Sequence, residues 1–123
     1  GDIRVEGLKT PQLKLSVSGS SDAKLNELSA DALEVRIAGS GDVQANGSTK
    51  GLKVSIAGSG DVRMSALAAD DVTVSIAGSG DAVVQANKSL GVSIAGSGDV
   101  QYSGTAAEVR SSVAGSGRVT RKN

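Results

Sequence analysis

The chain has 123 residues; 13 Lys and Arg balance 13 Asp and Glu, and neither Cys nor His occurs. At this length a single domain spanning 1–123 is expected. Zero formal charge argues against a nucleic-acid partner, which needs a cationic excess to neutralise phosphates, and the missing Cys and His exclude disulfides, zinc sites of thiolate or imidazole type, and His-based catalytic triads.

Gly occurs 17 times, Pro once (Pro11), and Tyr102 is the only aromatic residue. No apolar stretch approaches the length of a membrane-spanning helix. In chain order, Gly1-Asp2-Ile3 opens inside a motif whose first flanking copy is Val17-Ser-Gly-Ser-Ser-Asp22. The string Ile-Ala-Gly-Ser-Gly-Asp then occupies Ile37–Asp42, Ile56–Asp61, Ile76–Asp81 and Ile94–Asp99, and Val113-Ala-Gly-Ser-Gly-Arg118 closes the series. The marker position falls at 2, 22, 42, 61, 81, 99 and 118, giving intervals of 20, 20, 19, 20, 18 and 19.

Within a unit, Leu52-Lys-Val-Ser-Ile-Ala57 alternates apolar and polar residues as a strand with one buried face does. Gly58-Ser-Gly-Asp61 is a turn, and Val62-Arg-Met64 restarts the alternation. A variable segment follows, in which helical spacing is conceivable only around Ala66–Asp71. A propeller blade needs about 40 residues, twice this repeat. Near-identical strings are favoured when each unit is one coil and equivalent residues stack in register. The expected fold is all-β: a parallel β-solenoid, a right-handed β-helix by the handedness of parallel crossovers, with about six to seven coils of ~19 residues. A left-handed hexapeptide helix would need intervals in multiples of six, which these are not.

Five inward ladders follow. Before the turn they are Leu33, Leu52, Val72, Leu90, Val109; then Val35, Val54, Val74, Val92, lapsing to Ser111; then Val17, Ile37, Ile56, Ile76, Ile94, Val113. After it come Ile3, Ala23, Val43, Val62, Ala82, Val100, Val119, and Val5, Leu25, Ala45, Met64, Val84, Tyr102.

Stacking makes a row of Asp2, Asp22, Asp42, Asp61, Asp81 and Asp99, ending at Arg118, which would neutralise Asp99 below it. Carboxylates about 4.8 Å apart repel by roughly 0.9 kcal/mol per neighbour even in bulk water. The expected offset is an Asx-type cap, each carboxylate accepting N–H groups of its own turn. The rival offset is calcium along Asp22, Asp42, Asp61, Asp81 and Asp99, although one Gly-rich turn per coil falls short of the two that calcium-binding repeats use. No metal, cofactor or catalytic residue is assigned. A polysaccharide lyase or hydrolase is the alternative function; it would require two carboxylates in unlike surroundings, and a uniform row gives none. Outward serines Ser55, Ser75, Ser93 and Ser112, with Ser16 and Arg36 at the equivalent early positions, offer a flat polar face; turn serines Ser20, Ser40, Ser59, Ser79, Ser97 and Ser116 form another row. Coil-specific contacts are expected in the variable segments Ala45–Lys50 and Gln85–Ser89; within them Asn46-Gly-Ser48 and Asn87-Lys-Ser89 fit the glycosylation acceptor pattern.

The repeated Ile-Ala-Gly-Ser-Gly-Asp-Val phrase, closing with Tyr102-Ser-Gly104 and Val113-Ala-Gly-Ser-Gly-Arg-Val-Thr-Arg-Lys122, resembles the bacterial family called putative auto-transporter adhesin, head GIN domain. The resemblance covers essentially the whole chain. It implies a secreted or cell-envelope β-solenoid, mostly of Gram-negative bacteria, made with a signal sequence. The family has no established biochemical function, and the resemblance carries over no catalytic residue; the expected role is a non-enzymatic scaffold or adhesion-type binding module, with a glycan or an envelope protein as partner. Members of that family have a longer N-terminal part, so this chain is expected to be the C-terminal portion of a longer protein. An uncapped first coil leaves strand edges open and points to a homodimer through the N-terminal coil, while Arg118, Arg121 and Lys122 are expected to guard the other end.

Overall fold

The computed structural model describes residues 3–121, apart from the side chains of Ser65 and Ala66. Nine strands are present among them: β1 Ile3–Glu6, β2 Lys9–Gly19, β3 Asp22–Gly39, β4 Asp42–Gly58, β5 Asp61–Gly78, β6 Asp81–Gly96, β7 Asp99–Ser103, β8 Glu108–Gly115 and β9 Arg118–Arg121. All belong to one sheet in the order β1-β3-β4-β5-β6-β7-β9, with β2 also on β3 and β8 also on β6. Every pairing is parallel. Strands β3 to β6 each wind once round the axis, whereas β1 with β2, and β7 with β8, each make a coil in two pieces. The chain is therefore a parallel β-solenoid of about six turns.

Like residues lie on like. Asp22, Asp42, Asp61, Asp81, Asp99 and Arg118 are successive partners, as are Ile37, Ile56, Ile76, Ile94 and Val113. The inward Ile and Val side chains exclude water from a single narrow core: Val35, Met64, Val74 and Val84 are fully buried, and Ile76 is 1% exposed. Burying each such aliphatic contributes about 1.5–3 kcal/mol. Tyr102 packs against the same core from its edge.

Two glycines per turn make the stacking possible. Gly58 has φ of 123°, and a Cβ there would stand 2.5 Å from the Gly39 carbonyl oxygen. A Cβ on Gly60 would meet the Gly41 oxygen and Ile37 Cγ2, each at 2.6 Å. The turn amides bond downward between coils: Ser59 N–H donates to the Gly39 carbonyl at 3.0 Å, and Asp61 N–H to Gly41 at 3.2 Å.

Two expectations are corrected. The segment around Ala66–Asp71 is not helical, because β5 runs through it and buries Leu67 and Ala69. The variable segment is itself a core wall, adding the rows Leu28–Gly47–Leu67 and Thr10–Ala30–Thr49–Ala69. It hides from sequence reading because the register shifts there, between Leu25 and Leu28 and between Arg63 and Ala68. The extra residues absorbed at these bulges account for the uneven repeat.

Ile3 is 37% exposed at the first coil, and Val109 and Val113, each 40% exposed, lie at the last. Asp2 and Lys122 lie outside the described residues.

Candidate functional site

The Asp row runs down the outer face of the strand segment that follows each turn. Two residues on, the same face carries a second row: Arg4, Lys24, Gln44, Arg63, Val83, Gln101 and Thr120. Alternation places both rows outward, with Val43, Val62 and Val100 buried between them. Two shallow grooves join end to end along these rows. One, of about 270 Å³, is lined by Asp22, Lys24, Asp42, Gln44, Asp61 and Arg63. The other, of about 230 Å³, is lined by Asp61, Arg63, Asp81, Val83, Asp99 and Gln101. Asp61 and Arg63 belong to both.

Each coil thus contributes one acceptor carboxylate and, on most coils, one amide or cationic donor to a groove parallel to the axis. Among the described residues the carboxylates do not cap their own turns. Among the described residues the row's one side-chain hydrogen bond runs between coils, from Asp99 N–H to Asp81 Oδ1 at 3.4 Å. The reason is geometric: carbonyls of the coil below already accept the amides of Asp42, Asp61 and Arg118. Arg118 stands over Asp99 in register, yet the ion pairs among the described residues lie elsewhere: Arg36–Glu34 at 3.1 Å, Lys88–Asp70 at 3.9 Å and Arg110–Glu108 at 2.9 Å. Single file also keeps the carboxylates from converging, and among the described residues no group of three or more His, Cys, Asp or Glu is placed to hold a metal ion.

The Ser row is as expected: Ser16, Arg36, Ser55, Ser75, Ser93 and Ser112 are successive partners. Beside it runs a row that sequence reading passed over, Ala38, Ala57, Ala77, Ala95 and Ala114, all exposed. The face offers short hydroxyls and methyls, with Arg36 interrupting the Ser row. Asn46 ties adjacent coils together, since its Nδ2 donates to Asn26 Oδ1 at 3.0 Å and its Oδ1 accepts the Glu27 N–H at 2.8 Å. No helix among the described residues is long and apolar enough to cross a membrane.

Fold and faces together define a repeat scaffold, a rigid parallel β-solenoid that displays polar rows along its length. The chain belongs to the family described as putative auto-transporter adhesin, head GIN domain, whose model matches residues 1–106. It is similar to the crystal structure of a putative adhesin from Bacteroides fragilis, with a TM-score of 0.95 at 28% identity over 99% of this chain and 56% of that one. It is also similar to the crystal structure of a putative lipid binding protein from Parabacteroides distasonis, with a TM-score of 0.87 at 26% identity over 99% of this chain and 53% of that one. The chain spans a little over half the length of either structure. No curated protein matches it.

Proposed function

We propose that the chain is a non-enzymatic, adhesion-type binding module of the cell envelope or of a secreted protein, and that it holds an extended glycan along the grooved Asp face. The observation that carries this reading is the continuity of the two grooves through Asp61 and Arg63. Coils rise about 4.8 Å, close to the length that one pyranose adds to an extended β-linked chain. A linear glycan lying along the axis would therefore offer hydroxyls to one carboxylate acceptor per coil, and to Lys24, Gln44, Arg63 and Gln101 as donors. Each contact is weak in water, and repetition along a rigid rod supplies the avidity.

The family name and the adhesin among the similar structures support a binding role. An envelope protein as partner would engage the same face. A polysaccharide-cleaving enzyme is less well supported. Asp61, Asp81 and Asp99 occupy one turn position on successive coils, so nothing separates an acid from a nucleophile. The test is a glycan array probed with the full-length protein and with Asp61→Asn/Arg63→Ala. Retention of an uncharged linear glycan, lost in the double variant, is the expected result. No glycan bound, or equal binding by the variant, would overturn the reading.

A further inference from the structure

We propose that a hollow over Gly51, on the sheet face that carries the Ser row, binds a free aliphatic α-amino acid as its zwitterion. The site is independent of the glycan reading, since it lies on the strand segment before the turn, whereas the grooved Asp face follows the turn.

Gly51 is a glycine that the fold does not require. Its φ is not positive, and a Cβ there would meet only the Asp31 carbonyl oxygen, at an ordinary 3.8 Å. Gly51 pairs in register with Ala32 below and Asp71 above, so no bulge demands it either. Every other described glycine except Gly91 has positive φ or would drive a Cβ into a carbonyl oxygen of the coil below. A glycine inside a strand forfeits packing and backbone entropy, and often marks a place where a ligand approaches closely. What Gly51 supplies is space.

Gly51 and Ala32 floor a hollow of about 200 Å³, whose walls are Glu34, Lys53, Asp71 and Thr73. Sites for drug-sized ligands run to about 300–1,000 Å³, so this one suits a ligand of few heavy atoms. Its floor, strand backbone and one methyl group, suits an aliphatic side chain.

The walls carry opposite charges that do not neutralise one another. Asp71 lies over Gly51 and Lys53 two residues beyond it, which sets their Cα atoms about 8 Å apart, from about 4.8 Å between strands and about 6.6 Å along one. No ion pair joins them, and among the described residues Lys53 has no carboxylate partner. Glu34, which lies under Lys53 in register, is held by Arg36 at 3.1 Å. Asp71 Oδ1 accepts the Ser89 hydroxyl at 2.7 Å, which orients its carboxylate. An ammonium and a fixed carboxylate thus flank a bare floor.

Those two charges state the occupant. A free α-amino acid carries ammonium and carboxylate on one carbon, so it can meet Asp71 with the first and Lys53 with the second in charge-assisted hydrogen bonds. Its side chain then rests over Gly51 and Ala32. A simple amine or acid would satisfy one wall alone, and inside a peptide both groups are consumed as amides. Gly91 marks the contrast. It is equally unconstrained, but the hollow around it is lined by Thr73, Ser75, Ser93 and Arg110 and by no carboxylate.

The probe is L-leucine, titrated into the whole isotope-labelled chain and followed by amide NMR shifts. Saturable shifts centred on Gly51, Lys53 and Asp71 are expected. Leucinamide, lacking the carboxylate, and N-acetylleucine, lacking the ammonium, should bind about tenfold more weakly or worse, as should leucine to Lys53→Met and Asp71→Asn. Gly51→Val fills the hollow and should abolish the shifts. Its Cβ meets no close neighbour and valine suits a strand; circular dichroism establishes that it is folded, and Lys53→Met, at an exposed position, keeps the test should it not be. Gly91→Ala should leave binding unchanged. No saturable shift at Gly51, equal binding of the three ligands, or undiminished binding by Lys53→Met, Asp71→Asn or Gly51→Val would overturn the proposal. Shifts along Asp61 and Arg63 in place of Gly51 would overturn it too, by assigning the ligand to the Asp groove.

Discussion

Asp99 donates its backbone N–H to the carboxylate of Asp81, one coil below, at 3.4 Å. A carboxylate is thereby tied to the next layer of the rod while it remains in single file with its like-charged neighbours. The row costs stability through repulsion, roughly 0.9 kcal/mol per neighbour at about 4.8 Å in bulk water and less in salt.

Asp61 stands between Asp42 and Asp81 in that row. Asp61→Asn is expected to raise the unfolding free energy by about 1–2 kcal/mol at low salt, by relieving two repulsions. The gain should shrink toward zero as sodium chloride approaches about 0.5 M. Urea titrations at both salt concentrations check this; a loss of stability at low salt would show that repulsion is not what the row costs.

Glycine positions divide sharply. Gly60→Ala forces a methyl to within 2.6 Å of the Gly41 oxygen and Ile37 Cγ2, and should cost about 1–3 kcal/mol. Gly91→Ala meets nothing within 4 Å and should be neutral or stabilise by about 0.4–1 kcal/mol, since Ala restricts the unfolded chain. Thermal melts of the two variants side by side measure the contrast.

Much of this was legible in the sequence because the repeat is strict where the chain is straight. Ile37, Ile56, Ile76 and Ile94 share one environment, so their spacing alone gives the ladder, the parallel register and the Asp row. The variable segment was opaque for the opposite reason. Register shifts near Leu28 and Ala68 move inward positions off the common spacing, and Leu67 then reads as helical as readily as extended. The donor row Lys24, Gln44, Arg63 and Gln101 was equally hidden, because its members share a position but not a residue type.

Asn46 shows what the irregular corner requires. Glu27 adopts φ of 53°, a left-handed conformation that costs a non-glycine residue about 1–2 kcal/mol. Its N–H is held by Asn46 Oδ1 at 2.8 Å. Asn46→Ala removes that acceptor and the donor to Asn26, and should destabilise by about 1–3 kcal/mol. Glu27→Gly, by contrast, should be neutral or stabilising. Hydrogen exchange at the Glu27 amide, accelerated in Asn46→Ala, locates the effect at this corner.

The core makes a further demand. Ile76 is 1% exposed, and Ile76→Ala should cost about 2–5 kcal/mol. Ser75, next to it on the outer face, is exposed, and Ser75→Ala should change stability by no more than about 0.5 kcal/mol. Urea midpoints of the pair report which face of β5 is buried.

Paired cysteines test the stacking most directly, in a chain that has none of its own. Ser55 and Ser75 are register partners on adjacent coils, about 4.8 Å apart by strand spacing and within the span a disulfide bridges. Ser55→Cys/Ser75→Cys should oxidise rapidly to an intramolecular disulfide, while Ser55→Cys/Ala95→Cys, two coils apart and displaced along the strand, should stay reduced under the same conditions. Equal oxidation of the two pairs, or none in the first, would contradict a rod in which each residue rests on its counterpart one turn below.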